Sequence, residues 1–503
     1  MLTVEMIEAG ARRFGTRIAV TSPEGRMTYA EVDELSSRLA NAMAGMGFEQ
    51  LERVGILFGN HLHTVALDFA AVKARLTRVP LNARLAAAEH ISMVAGAGVR
   101  RVVFQPALTE RALELEAAID GLELYSLGPN SAGKPDLLQL AAQASPGRPR
   151  LPYSASDPIL ALYTSGTTGT LKAALHTQAS YAGVVANIMA NLVFPARDDV
   201  MVHAAPLIHA SGTFVLPFWL RGGRAHVLPG FDPGAYLGAC EAEGVTHASL
   251  VPTMLQMLMA NTRVEGSRLA LKSIIYGASP MPASTIAEAM AAFGPIFTQY
   301  YGQTEAPLAI SALAPEDHLG DAELLRSAGS PSVEARVRVL GKDGAELGTG
   351  EIGEITVESP FVMAGYLDAP ELNAQTFVSP GRVRTRDLGY FDDRGYLYLV
   401  DRSSDMIVSG GYNVYPREVE DVLLAHPAVA ECGVVGRPDP TWVEAVVAFV
   451  TLRPGKEATE EELRDFARAR LAGYKVPKEI RFSGPLPKSA VGKVLRRALR
   501  EEI

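Results

Sequence analysis

A chain of 503 residues with a mass of 53.7 kDa has room for about three domain-sized units of ~150 residues and for a large core. With 48% hydrophobic and 20% charged residues it has the balance of a soluble globular protein, which excludes a chain that is disordered, collagenous or coiled-coil throughout. The 47 Lys+Arg against 56 Asp+Glu give a net charge of −9, and with no long basic run nucleic acid is not expected as a partner. Cys240 and Cys432 are too few and too far apart for a disulfide framework or a thiolate metal site. Residues 1–15 carry Glu5, Glu8, Arg12 and Arg13 and lack the apolar run of a secretory signal. A reducing cytoplasm is the expected location.

In chain order, Thr28-Tyr-Ala-Glu31 reads as a capping box opening a helix. Leu35, Leu39, Ala42, Met43 and Met46 line one face of it, and Gly45 and Gly47 end it. Arg53–Phe58 reads as a buried strand, and strands continue to alternate with helical patterns through the first 300 residues, which favours α/β layers. The stretch 145–156 reads as a surface loop or subdomain join. Residues 173–196 and 201–220 contain no Asp, Glu, Lys or Arg and reach the length of a membrane span. They also hold His176, Gln178, Asn187, Asn191, His203, Pro206, His209 and Pro217, which suit a buried core better than hydrocarbon, so no transmembrane segment is expected.

From Glu334 the texture changes to short strands at 335–340, 354–358 and 396–400, a small β subdomain. Beyond Asp401 a helix at 417–425, strands at 429–435 and 443–452 and a charged helix at 459–471 form a compact α+β unit. The expected fold is therefore α/β. Residues 1–401 form a large N-terminal domain of mixed, layered sheets with a small β subdomain, and residues 402–503 a small C-terminal α+β domain.

The sharpest chemical signal is Ala161-Leu-Tyr-Thr-Ser-Gly-Thr-Thr-Gly-Thr-Leu-Lys172, an apolar strand running into a loop of glycines and hydroxyls closed by a lysine. Glycines let backbone N–H groups converge on anionic oxygens, hydroxyls add donors, and the lysine adds a mobile charge. The loop is neither a Walker A motif nor GxGxxG.

This loop resembles the phosphate-loop signature of the adenylate-forming enzymes, which include acyl-CoA synthetases and aryl-CoA ligases. Four further segments resemble that family's motifs in its order: Tyr300-Tyr-Gly-Gln-Thr-Glu305, Thr385-Arg-Asp-Leu-Gly389, Asp401-Arg-Ser-Ser-Asp-Met-Ile-Val-Ser-Gly-Gly-Tyr-Asn413 and Pro487-Lys-Ser-Ala-Val-Gly-Lys493. The resemblance implies that a carboxylate attacks the α-phosphate of ATP to give an acyl adenylate and pyrophosphate, and that the thiol of coenzyme A then takes the acyl group. It implies that Thr164, Ser165, Gly166, Thr167, Thr168, Gly169 and Lys172 hold the β- and γ-phosphates, that Thr304 bonds the α-phosphate, and that Glu305 holds Mg2+. A helix starting near Pro307, capped by Glu305, is the structural alternative for that glutamate.

Asp387 and Arg402 match the ribose contacts, Gly277, Ala278, Ser279 and Tyr301 the adenine slot, and Gly302 is a further nucleotide contact that also borders the acid pocket. Lys493 matches a lysine that the mobile C-terminal domain carries into the cleft for adenylation, with the hinge at Ser404, near 402–404, and Gly410 and Gly411 beside the coenzyme A tunnel. His209, Gly212, Tyr276 and Gln303 are expected along the acid pocket. The segment 205–212 carries no Arg or Lys, which favours an aliphatic or aromatic monocarboxylate, as in fatty acid or aromatic acid metabolism.

Departures from the family pattern fall at Leu171 and Ala173 flanking Lys172, at Arg386 and Val443 where glycine is usual, and at Ser404. The expected activity is thus an ATP-, Mg2+- and coenzyme A-dependent acid–thiol ligase. A stand-alone enzyme that loads a carrier protein's phosphopantetheine, or a non-catalytic nucleotide sensor, is the alternative. Oligomeric state, a homodimer included, stays open.

Overall fold

The computed structural model describes residues 1–165, 171–261, 269–279, 281–321, 323–402, 405–409, 412–488 and 494–503. Two large sheets make up most of the N-terminal part. One has seven strands in the order Gly365–Tyr366, Leu171–Thr177, Pro158–Ser165, Thr77–Asn82, Arg53–Phe58, Arg101–Phe104 and Glu123–Ser126. The other has nine, from Ser330–Pro331 through Ala306–Leu313, Phe297–Gln303, Ser273–Gly277, His247–Leu250, Val200–His203, Arg224–Val227 and Ile18–Ser22 to Gly25–Thr28.

The central strands of both sheets are parallel, and parallel sheets are covered on both faces. Their strands are accordingly continuous apolar runs: every residue of Thr77–Asn82 is buried. The helix Gln178–Asn191 lies between the sheets. Val184 and Ile188 join one core, Ala182 and Val185 the other, which explains an apolar stretch without a polar face. Its start is fixed by Thr177, whose hydroxyl accepts from the Ser180 N–H at 3.2 Å. No helix among the described residues is long and apolar enough to cross a membrane.

The capping box is formed as expected: Thr28 N–H donates to Glu31 Oε2 at 2.6 Å and Glu31 N–H to Thr28 Oγ1 at 3.2 Å, opening the helix Tyr29–Gly45. This helix is tied to Thr64–Lys73 by Lys73, a fully buried ammonium that donates to Asp33 Oδ1, Ser36 Oγ and Ser37 Oγ at 2.6, 2.7 and 2.9 Å. A buried charge needs that complete a shell.

The strands Arg336–Leu340, Gly353–Glu358, Arg382–Phe391, Phe377–Ser379 and Leu397–Arg402 form an antiparallel five-stranded sheet, the expected β subdomain. A separate five-stranded sheet, with the helices Pro416–Leu424 and Glu460–Arg468, forms the C-terminal α+β unit. The last strand of the first of these sheets ends at Arg402 and the next strand, Ile407–Ser409, belongs to the second. The helix from Pro307, the structural alternative for Glu305, does not form. Ala306–Leu313 is a strand, paired with Phe297–Gln303 on one side and Ser330–Pro331 on the other.

Val443 shows what a departure from glycine does to the backbone. The strands Val429–Asp439 and Val443–Leu452 form a hairpin closed by the pair Asp439↔Val443, with Asp439 Oδ1 accepting the N–H groups of Thr441 and Trp442 at 2.8 and 3.0 Å. The turn 440–442 runs into Val443, which closes the hairpin with φ +69°. For a β-branched residue that is a strained conformation, costing on the order of 1–3 kcal/mol. Val443 is 64% exposed, so little packing offsets the strain. Val443→Gly is expected to raise stability by about 1 kcal/mol, read as a higher urea midpoint at unchanged m-value; a lower midpoint would show that the valine side chain stabilises this hairpin.

Candidate active site

Thr164 and Lys172 face each other across the antiparallel pair that brackets the glycine-rich loop. Gly166, Thr167, Thr168 and Gly169, expected to bind phosphate, lie outside the described residues, as do Ser404, Gly410, Gly411 and Lys493 and the side chain of Ser165. Lys172 Nζ lies 6.0 Å from the centre of the Tyr366 ring, and the Tyr366 hydroxyl donates to Glu305 Oε1. Burial, and secondarily the charge of Arg386, push the Lys172 ammonium down, partly offset by Glu305.

The turn that carries Thr304 and Glu305 is pinned at both residues. His176 Nε2–H donates to the Thr304 carbonyl at 2.8 Å, and the Glu305 carbonyl accepts from Met363 N–H at 2.8 Å. No local sequence signal marked His176 or Tyr366 as part of this site.

The ribose-type corner is built around Asp387, a carboxylate 8% exposed. Tyr301 Oη–H donates to its Oδ2 at 2.6 Å, the Gln303 side-chain amide donates to the same oxygen, and Arg402 Nε lies 3.2 Å from Oδ1. Gln303, expected along the acid pocket, is thus turned to the other side, its Nε2 also donating to the Thr385 carbonyl at 2.9 Å. Tyr301, expected as an adenine contact, is 7% exposed, and its hydroxyl orients Asp387.

Gly277 and Gly302 are required by close packing. A Cβ on either would lie 2.4 Å from a carbonyl oxygen, that of Tyr300 and of Leu308 respectively. Ala278, next in line, has φ +66°, the kind of strained residue that clusters at ligand sites, and Ser279 follows it at the open end of the strand Ser273–Gly277.

On the acid side, His209 Nε2 is 3.0 Å from Asn82 Nδ2, so Nε2 is the ring's acceptor and the amide donates to it. Burial, aided by the Arg84 charge, pushes His209 down to about 4. Arg84 is a cation that the segment 205–212 did not announce; it is exposed, and its charge is screened by water. Tyr276 does not line the pocket. It is 1% exposed, packed in the core behind the sheet, with its hydroxyl 2.9 Å from His318 Nε2. Gly212, expected along the pocket, is required by the turn: a Cβ there would lie 1.8 Å from the Leu207 carbonyl oxygen.

The family profile described as AMP-binding enzyme matches residues 7–367, and that of the AMP-binding enzyme C-terminal domain matches residues 418–493. The chain belongs to the AMP-binding enzyme family. It is 36% identical to a medium/long-chain-fatty-acid–CoA ligase, FadD8, of Mycobacterium tuberculosis over 94% of this chain and 85% of that one. It is 38% identical to a feruloyl-CoA synthase of an Amycolatopsis species over 94% and 93%. The amide bond synthetase McbA of Marinactinospora thermotolerans has the same fold, with a TM-score of 0.91, 30% identity and 99% of both chains covered. With relatives named as acid–CoA ligases aligned along nearly its whole length, this AMP-binding enzyme is an AMP-forming acid–thiol ligase.

Buried histidines of the AMP-binding fold, His176, His203 and His209 among them, set an acid limit on stability. His176, beneath Thr304, is pushed down to about 4, and His203 to about 3, chiefly by burial. Below the ordinary value of 6.5 the unfolded chain takes up protons that the folded protein refuses until pH nears those values. Stability is therefore lost as pH falls through that window, by about 1.4 kcal/mol per pH unit for each ring. Urea unfolding between pH 7 and 5 should show this slope, and His203→Asn should flatten it by about one histidine's share; an unchanged slope in the variant would remove His203 from the account.

Proposed function

We propose that this ligase activates an aliphatic or aromatic monocarboxylic acid as its acyl adenylate and passes the acyl group to coenzyme A. The observation that carries the reading is one continuous constellation: Lys172, Tyr366 and Glu305 on one side of the Thr304 turn, Tyr301, Gln303, Asp387 and Arg402 on the other. The first group suits phosphates and their cation, the second a ribose diol.

In the first step an oxygen of the substrate carboxylate bonds to the α-phosphorus as the bond to the bridging oxygen breaks, and pyrophosphate leaves with that electron pair. The protein's task is to align the two anions and to meet the charge on the phosphate oxygens. Lys172 and the loop 164–169 hold the β- and γ-phosphates, and Thr304, its carbonyl fixed by His176, presents its hydroxyl to the α-phosphate. Lys493 bridges the carboxylate and the α-phosphate as a point charge. In the second step the coenzyme A thiol gives up its proton, its sulfur bonds to the acyl carbon, and AMP leaves with the electron pair of the acyl carbon–oxygen bond. The small domain, 402–503, turns about Ser404 to withdraw Lys493 and bring Gly410 and Gly411 to the thiol tunnel.

Glu305 fits magnesium. Tyr366 occupies one carboxylate oxygen and leaves Oε2, and Mg2+ typically takes one or two carboxylates plus substrate phosphates rather than a protein cage. When bound, magnesium neutralises the phosphate charge that builds as pyrophosphate leaves. The lack of Arg or Lys along 205–212, with Arg84 exposed, supports a monocarboxylate over a diacid. Cys240 and Cys432 are free and buried, which supports a reducing cytoplasm.

The test is pyrophosphate release from Mg-ATP over a panel of aliphatic, aromatic and dicarboxylic acids, with and without coenzyme A, for wild type and Lys493→Ala. Release that needs both a monocarboxylate and coenzyme A, and that falls at least about 100-fold in the variant, is expected. Release that coenzyme A leaves unchanged would move the acceptor to a carrier protein or an amine, and no release with any acid would overturn the reading.

A further inference from the structure

Arg386 stands where the backbone argues against any side chain. Between the pairs Glu354↔Leu388 and Thr356↔Arg384, the single residue Ile355 faces Thr385, Arg386 and Asp387. This is a β-bulge, a device that re-aims side chains beside active sites. Arg386 at its crest has φ +62°, a conformation that suits glycine and costs other residues energy.

The bulge is locked on both sides. Thr385 Oγ1 donates to the Ile355 carbonyl at 2.8 Å, Asp387 N–H donates to Thr385 Oγ1 at 3.1 Å, and the Thr385 carbonyl accepts from Gln303 at 2.9 Å. The backbone of Arg386 is therefore fixed directly beside the ribose-type carboxylate Asp387. Its charge adds to the effect of burial on Lys172, and on the Tyr366 hydroxyl it partly offsets the rise that burial and Glu305 cause. Two cations brought together at a strained residue cost energy in the empty protein. A polyanion placed between them turns that repulsion into attraction.

We propose that Arg386 is a second phosphate cation beside Lys172, contacting the β- and γ-phosphates of ATP and the pyrophosphate product; the assignment rests on the ATP-dependent reading above. A guanidinium presents a planar fork of N–H donors to phosphate oxygens, which a glycine at this place cannot do. Because those phosphates belong to ATP and pyrophosphate and not to AMP, Arg386 strengthens the first two selectively. It raises the affinity for Mg-ATP and, by the same contacts, makes pyrophosphate a stronger product inhibitor.

The test compares wild type with Arg386→Gly, Arg386→Ala and Arg386→Lys, using inorganic pyrophosphate and AMP as separate inhibitors of the full-length enzyme, with urea unfolding of each. Glycine removes both charge and strain, alanine removes the charge and keeps the strain, and lysine keeps the charge. The KM for ATP and the inhibition constant for pyrophosphate should rise about 10-fold or more, equally in the glycine and alanine variants, and less in the lysine variant, while inhibition by AMP changes less than about twofold. Arg386→Gly should also unfold at higher urea than Arg386→Ala. Unchanged pyrophosphate inhibition in variants of an enzyme that responds to both inhibitors would overturn the proposal and leave the ligase reading intact. So would a pyrophosphate effect that follows stability rather than charge. A wild type inhibited by neither compound would overturn the ligase reading, and the proposal with it.

Discussion

The site depends on a carboxylate that cannot be left without donors. Asp387 lies in the protein interior, and a carboxylate removed from water costs several kcal/mol unless hydrogen bonds and opposite charge replace the water. Its donors come from two different sheets: Tyr301 and Gln303 from the strand Phe297–Gln303 of the nine-stranded sheet, and Arg402 from Leu397–Arg402 of the β subdomain. That requirement fixes how the β subdomain seats against the large sheet. The same strand that supplies Tyr301 and Gln303 runs on into Thr304 and Glu305, so the phosphate side is positioned by the demand that the ribose side be satisfied.

Local charge in the site runs against the charge of the whole. The protein is acidic, at −9, yet among the described residues named here Lys172, Arg386 and Arg402 face Glu305 and Asp387. Such an imbalance in a half-buried cleft raises the local concentration of anions. On the proposed reading it also stores repulsion that a polyphosphate relieves. The strained backbone at Ala278 and Arg386 adds to this, a pattern of cost in the empty site that binding recovers.

Much of this was legible in the chain because the signals are short-range. A capping box needs only Thr28 and Glu31, and the buried strands Arg53–Phe58 and Val443–Leu452 are runs of apolar residues. The glycine-rich loop, the Thr304–Glu305 turn and Asp387 were legible as motifs. What failed was whatever depends on distant pairing. Pro307 after Glu305 reads as a helix start, but two flanking strands impose extended structure on Ala306–Leu313, and tertiary context overrides a weak local preference. The face of Tyr276 was not readable because a parallel strand buried on both sides has no alternation to reveal it. Tyr366 reaches Glu305 from 61 residues away, through a two-residue strand paired to Leu171–Thr177, and nothing near it in sequence announces that contact.

The junction between the two parts obeys the same rule of paired buried charge. Arg496 is surrounded by three carboxylates, 2.9 Å from Asp401, 3.0 Å from Asp405 and 2.8 Å from Glu420. Asp405 and Glu420 lie beyond residues 402–404, on the same side as Arg496, whereas Asp401 belongs to the last strand of the β subdomain. A rotation about 402–404, as the proposed two-step reaction requires, carries Arg496, Asp405 and Glu420 together and parts them from Asp401. It also parts Asp401 from the Arg417 N–H, which it holds at 2.8 Å. Arg496 keeps two carboxylates through such a turn, so its charge is never stranded, and the cost of the motion falls on Asp401, which water entering the opened junction can solvate. Two residues separate Arg496 from Lys493, so the cation that guards the junction sits on the same short segment of sequence as the lysine that the proposed motion delivers.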